Sequence, residues 1–278
     1  MTSTRSWPHT HNLQCKTMDP RANCPVGPEI IGAVGMSGTW IGTSGWSYDH
    51  WDTIMYGPSL PPRNRLGRYV QEFDTVELNA SFYRWPRAQT FTNWRRRLPP
   101  GFRMSVKAPR GLSHGRRLYQ PEPWTPRLVE CWHALRDRRG VLLVQLPPDQ
   151  ERDDDRLDYF LRELPDWMQV AVELRHASWI ADPVFELLSR HRATYVVMSG
   201  ARLPCVLRAT STIVYVRLHG PDHDHLYGGS YSDADLYWWA DRIREWHRHG
   251  HDVYAYFNND GHGHAVTNAR RLRSLVAG

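Results

Sequence analysis

Lysine is nearly absent from this chain: of its 35 basic residues, 33 are Arg and two are Lys, Lys16 and Lys107. Arginine stays protonated at physiological pH, whereas a buried lysine can give up its proton and act as a base or nucleophile. The scarcity singles out Lys107, the one amine in the part of the sequence that patterns as a fold. Cysteine is scarce too. The four, at positions 15, 24, 131 and 205, match no zinc or redox spacing and are too few to staple 278 residues. A disulfide scaffold is therefore excluded, and free thiols are expected. Long apolar runs are missing, since nothing approaches the ~18 consecutive apolar residues of a membrane helix. The N-terminus has no charged start leading into an apolar run, so no secretory signal is expected. The expected compartment is cytoplasmic, with no membrane partner. Hydrophobic residues make up 41% and charged residues 23%, which excludes a disordered or fibrous chain. The net charge of +6 leans modestly towards anionic partners.

Residues 1–35 show neither a period of 2 nor one of 3.6. They read as a disordered N-terminal extension, or as an over-long gene start with Met36 as the natural initiator, and no function is expected of them. From residue 36 to 278 the pattern is that of one domain. Short β-rich runs alternate with amphipathic stretches. The predicted strands are Trp40–Gly45, Thr75–Asn79, Phe102–Lys107, Val141–Leu146, Val170–Leu174, Thr194–Ser199, Ile213–His219 and Val253–Asn258. The predicted helices are Arg63–Glu72, Ala88–Arg97, Pro126–Arg138, Arg152–Leu164, Pro183–His191, Asp233–His249 and Ala265–Leu275, with Asp182 and Ser232 as N-caps. Eight such units suit a (β/α)8 TIM-like barrel, which takes about 250 residues. The connection between strands six and seven, Gly200–Thr212, is too short and Pro-interrupted for a helix. A doubly wound open sheet fits less well without a Gly-rich phosphate loop.

Strands covered by helices on both faces normally read as apolar runs. These do not. Val76 and Leu78 alternate with Glu77 and Asn79, Val172 and Leu174 with Glu173 and Arg175, and Val214, Val216 and Leu218 with Tyr215, Arg217 and His219. Met104 and Val106 likewise oppose Arg103, Ser105 and Lys107. The apolar sets should meet the helices, which turns the polar sets towards the barrel axis. Burying those charges is costly unless they are paired with one another or face a ligand. Two arrangements meet that requirement: a self-paired plug of Glu77 and Glu173 against Lys107 and Arg217, or an active site. Asn79, Lys107, Gln145, Arg175, His219 and Asn258 all end their strands, on the face where barrels carry their chemistry.

The residues at those ends also carry a resemblance. Ile41–Tyr48, Phe73–Asn79 with Ser81–Tyr83, Phe102–Lys107, Gln145–Pro148, Val172–His176 with Ser178 and Trp179, Tyr215–Gly220, Tyr227–Tyr231 and Tyr256–Asn259 with Gly263, Ala265 and Asn268 resemble the YecE-like family, also called domain of unknown function 72. The likeness runs from residue 39 to about 275. It implies a TIM-like barrel and supplies no reaction. One departure is Ser199, where that family often has Asp.

The expected function is an enzyme performing acid–base chemistry on a phosphorylated or otherwise anionic substrate. Glu77 or Glu173 would be the base, with Lys107 and His219 as acid or electrophilic partners. Lys107, if desolvated, would also serve as an imine-forming amine. Arg175, Arg217 and Asn258 would hold the anion, and Trp46, Asn79, Tyr83, Gln145, Tyr231 and Asn259 would line the substrate site. No cofactor is expected. His219, His223, Asp224, His225, Asp260, His262 and His264 leave a divalent metal as a lesser alternative. Eight cations between Arg95 and Arg117, with no Asp or Glu among them and Trp85 and Trp94 beside them, make nucleic acid an alternative partner. A ligand-binding barrel without catalysis is the third reading.

Overall fold

In the computed structural model, which describes residues 37–278, the alternating pattern closes on itself. The expectation for residues 1–35 lies outside the described residues. Eight parallel strands form the wall: β1 Thr39–Thr43, β2 Thr75–Leu78, β3 Arg103–Lys107, β4 Arg139–Gln145, β5 Val170–Glu173, β6 Thr194–Ser199, β7 Ile213–Leu218 and β8 Asp252–Phe257. From β2 to β8 each strand pairs with the next, and β8 pairs in turn with β1. Around them lie α1 Pro62–Tyr69, α2 Ala80–Tyr83, α3 Ala88–Arg95, α4 Thr125–Leu135, α5 Asp154–Arg162, α6 Asp182–Arg190, α7 Asp233–Arg248 and α8 His264–Ala277. This is a single (β/α)8 TIM-like barrel. As expected, residues 200–212 between β6 and β7 carry no helix.

The expected faces are the observed ones. Val76, Leu78, Val106, Val172, Leu174, Val214, Val216 and Leu218 pack outward into the large core shared with the helices. A second, smaller core fills the barrel itself, built from Val141, Leu143, Ala171, Val196, Met198, Ile213, Tyr215, Tyr254 and Tyr256. Its aromatics climb the axis. Trp40 stacks on Tyr254 at 4.7 Å, Tyr254 lies 6.3 Å from Tyr215, and Tyr215 lies 5.3 Å from Tyr256. The Tyr256 hydroxyl ends this column in polar company, 2.6 Å from Thr75 Oγ1 and 2.9 Å from Ser105 Oγ. The rings thus form a dry floor beneath whatever stands above them.

Closure between β1 and β2 rests on little main chain: an isolated bridge of Ser44 with Glu77, plus the Gly45 amide donating to the Glu77 carbonyl at 2.8 Å. The Tyr69 phenol reinforces the seam, donating to the Thr75 carbonyl and accepting from the Thr43 amide. Gly42 lets the strands approach this closely, because a Cβ there would come within 2.5 Å of the Thr75 carbonyl oxygen.

Helix starts follow local chemistry. Ser232 caps α7 in a full capping box, its Oγ accepting from the Asp235 amide while the Asp235 carboxylate accepts from the Ser232 amide. Asp153 caps α5 through the Arg156 amide. Asp182 is not the expected cap: it is the first residue of α6, Ala181 holds the cap position, and the carboxylate supplies only its charge to the first turn. Cys131 is a buried free thiol, as expected. No helix among the described residues is long and apolar enough to cross a membrane. Ser232→Ala removes one half of the capping box and is expected to cost about 1 kcal/mol. A thermal melt should register this as a Tm lower by roughly 2–4 °C; an unchanged Tm would mean that tertiary packing alone fixes the start of α7.

Candidate functional site

Arg217 stands on the aromatic floor, inside β7 and wholly buried. Its Nε and Nη2 donate to the two carboxylate oxygens of Glu77 at 2.9 and 2.7 Å, and its Nη1 donates to Glu173 Oε2 at 2.5 Å. Glu77 also accepts from Ser44 Oγ at 2.6 Å and from the Tyr215 hydroxyl at 2.8 Å. Glu173 Oε1 accepts from Arg175 Nε at 2.6 Å. Burial pushes the Glu173 carboxyl up, but the Arg217 and Arg175 guanidiniums outweigh it and hold the group well below the usual carboxylate range. The two carboxylates and Arg217 therefore form the self-paired half of the expected arrangement. Arg217 reaches no solvent and already donates to two carboxylates, so it is a strut inside the barrel and not the anion clamp expected of it. Glu77, holding four donated hydrogen bonds, is likewise a scaffold and not the expected base.

Lys107 is different. It ends β3 above this network, with Nζ donating to Gln145 Oε1 at 2.5 Å and sitting 4.2 Å from the centre of the Phe82 ring. No carboxylate bonds it. Burial, helped by the Arg217 and Arg175 charges, outweighs the pull of Glu173 and Glu77 and lowers its pKa from 10.5 to about 7. The same cations act on their neighbours. Burial and Arg217 push His219 well below 6.5, and burial and Lys107 push His114 down to about 4.

His219, also wholly buried, is neutral in consequence. The Asn258 amide nitrogen, a donor, lies 3.2 Å from its Nδ1, which places the ring proton on Nε2. That Nε2 has no hydrogen-bond partner; Glu173 Oε1 lies 3.7 Å away, beyond bonding reach. A second orphan is Asn79 Oδ1, buried and unpartnered just past β2. Arg175 is anchored to Glu173 by Nε alone and extends Nη2 to the Tyr227 hydroxyl at 3.3 Å.

The remaining expected site residues divide. Gln145 and Asn258 stand in the cluster, while Tyr83 is 83% exposed and touches it only through the edge of Phe82. Trp46 is no stacking platform: it is buried edge-on against Trp94, and its carbonyl accepts from Tyr56. Tyr231 and Asn259 anchor the loop after β7. Tyr231 donates to Ser199 Oγ and accepts from the Gly220 amide, while Asn259 donates to the Gly229 carbonyl and to Asn268 Oδ1. Gly220 makes this anchoring feasible. Its φ is +107°, and a Cβ there would fall 2.1 Å from the Gly228 carbonyl oxygen.

Sequence reasoning missed Phe82, His114 and Tyr227. Tyr227 holds a left-handed φ of 73° beside Gly228 and sets its ring 5.4 Å from His219, so the Tyr-Gly-Gly run was the signal available for it. Among the expected metal residues, Asp260 is held by Trp51 Nε1 at 2.6 Å and by His50 at 3.0 Å. His223, Asp224 and His225 are exposed. No group of three or more His, Cys, Asp or Glu among the described residues could hold a metal ion.

Two outcomes follow from the buried charges. Arg217→Met strands two carboxylates and should cost about 3–5 kcal/mol in urea unfolding; a loss under 1 kcal/mol would show that the triad is not integral to the fold. Lys107→Met tests the sign of the amine's cost. The folded pKa lies below the unfolded one, so between about 7 and 10.5 the unfolded chain binds the extra proton and the native state gains stability as pH rises. The variant should therefore be more stable than the parent at pH 6, by a margin that shrinks towards pH 10. A margin independent of pH would contradict the depressed pKa.

The family model described as "Protein of unknown function DUF72" matches residues 40–278. The UPF0759 protein YunF of Bacillus subtilis is 27% identical over 272 residues, covering 85% of this chain and 94% of its own length. The UPF0759 protein YecE of Escherichia coli K12 is 28% identical over 143 residues, covering 51% of this chain and 50% of that one. Among solved structures, a DUF72 family protein of Thermotoga maritima superposes with a TM-score of 0.78 at 26% identity, over 87% of this chain and all of that one. A DUF72 family protein of Enterococcus faecalis gives 0.74 at 16% identity, over 86% and 96%, a likeness of fold alone. With the match running across the whole barrel and through every strand end that builds the cluster, this chain belongs to the DUF72 family, the group of YecE and YunF.

Proposed function

We propose that this barrel is an enzyme whose reactive group is the Lys107 amine, transferring a proton to or from a small anionic substrate at the C-terminal face. The observation that carries the reading is the environment of Nζ: desolvated, bonded to the neutral Gln145 carbonyl and free of any carboxylate partner, with a pKa of about 7. Such an amine exchanges its proton near neutral pH, where a general acid–base group is most effective. Both carboxylates are already held by guanidiniums. With Lys107 protonated, the set of Lys107, Arg175 and Arg217 against Glu77 and Glu173 carries one positive charge in excess, which favours an anion. Arg175, which donates through Nε to Glu173 and through Nη2 to Tyr227, offers its other N–H groups to that anion. The His219 Nε2–H and Asn79 Oδ1 supply one donor and one acceptor for orientation.

The nucleic-acid reading has thinner support. Arg117 is taken by Asp149, Arg97 by the Arg63 carbonyl and Arg103 by the Asp137 carbonyl. Trp94 is packed against Trp46 and Phe91 and is not presented for stacking.

Competitive labelling with trace acetic anhydride from pH 5 to 10, read by mass spectrometry on the Lys107 peptide, tests the proposal. The expected midpoint is near 7, and inorganic phosphate should slow labelling and raise that midpoint by stabilising the ammonium. A midpoint near the ordinary lysine value of about 10.4, unmoved by phosphate, would overturn it.

A further inference from the structure

Proton transfer alone leaves two features of the cluster unexplained. One is the amine itself, a nucleophile kept free of the carboxylates beside it in a chain whose other described cations are Arg. The other is two of the buried unpartnered atoms, a donor at His219 Nε2 and an acceptor at Asn79 Oδ1. A buried polar atom without a partner costs free energy, and both lie at strand ends on the face that carries Lys107. One donor and one acceptor are what a hydroxyl group needs to be fully satisfied.

From this juxtaposition we propose that the substrate is a small aldehyde or ketone bearing a carboxylate or phosphate, and that Lys107 binds it covalently as an imine. The inference rests on the reading of Lys107 as the reactive group and adds the substrate class. The Nζ lone pair attacks the carbonyl carbon, forming the C–N bond while the C=O π pair moves to oxygen. One amine proton passes to that oxygen, giving a carbinolamine whose hydroxyl accepts from His219 Nε2–H and donates to Asn79 Oδ1. The nitrogen lone pair then closes the C=N bond, the hydroxyl leaves, and it takes the second amine proton to depart as water. Atoms balance, amine plus carbonyl giving imine plus water, and no oxidant or reductant is needed. The Phe82 face and the aromatic floor keep bulk water from the bond. Arg175, steadied by Glu173 and reaching Tyr227, takes the anionic group. Glu77 and Arg217 take no part beyond holding the floor.

The test is reductive trapping on the full chain at pH 7 with sodium cyanoborohydride. Glyoxylate and glycolaldehyde phosphate present an aldehyde beside a carboxylate or a phosphate, glycolaldehyde is the neutral control, and Nα-acetyl-lysine in the same tube reports ordinary amine reactivity. Peptide mapping by mass spectrometry locates the adduct. At least one anionic probe should modify Lys107 at least ~10-fold faster than acetyl-lysine, given the larger fraction of free amine. The faster of the two probes identifies the anionic group. Adduct formation no faster than on acetyl-lysine with both anionic probes overturns the imine. Equal trapping of neutral glycolaldehyde overturns the anionic class. If Lys107 titrates near 7 and phosphate protects it but no adduct forms, only the imine falls; if Lys107 titrates as an ordinary lysine, both fall. Because the parent chain carries the readout, a Lys107→Met variant that failed to fold would not blunt the result.

Discussion

The grip of Arg217 on Glu77 and Glu173 is the interaction on which the rest of the molecule depends. Three full charges sit where no water reaches, and each is tolerable only because the others are within bonding distance. The arrangement is over-determined: Ser44 and Tyr215 finish the coordination of Glu77, and Arg175 finishes that of Glu173. The tyrosine column below gives the triad a rigid, low-dielectric base, which strengthens the pairing and would make any missing partner expensive.

That triad shapes what stands above it. By consuming both carboxylates, it denies Lys107 the counter-ion that would hold it charged, and by placing guanidiniums nearby it raises the cost of the ammonium. Burial, helped by the same cations, keeps His219 neutral, so a ring that would otherwise titrate near physiological pH becomes a fixed donor. A network that looks purely structural therefore reinforces the effect of burial on the protonation state of the two groups with chemistry left to offer.

The barrel was legible because period 2 in the strands and period 3.6 in the helices are local properties, and the inward faces followed from simple alternation. Radial depth was not legible. Arg217 and Arg175 both lie near strand ends, yet Arg217 falls inside its strand and is sealed, while Arg175 lies two residues past the end of β5 and extends to Tyr227. Which polar groups pair depends on that depth, and alternation does not encode it. Trp46 follows β1 as a mouth-lining ring would, but its orientation is decided by Trp94, a partner 48 residues away on α3. The anchoring role of Tyr231 and Asn259 was not legible, because the residue that organises them, Asn268, belongs to α8. The position of Tyr227 depends on backbone angles around two glycines that composition alone does not fix.

Glu77 does two jobs at once. Its main chain supplies the bridge and the carbonyl that close β1 onto β2, and its side chain is the bidentate seat of Arg217. A closed cylinder ordinarily has a weakest joint, where strands part first and with little penalty elsewhere. Here that joint is riveted to the charge cluster, so the strands cannot part without stranding ions in the interior. Local opening is thereby converted into a global event: the wall can breathe at its thinnest point only by dismantling the centre.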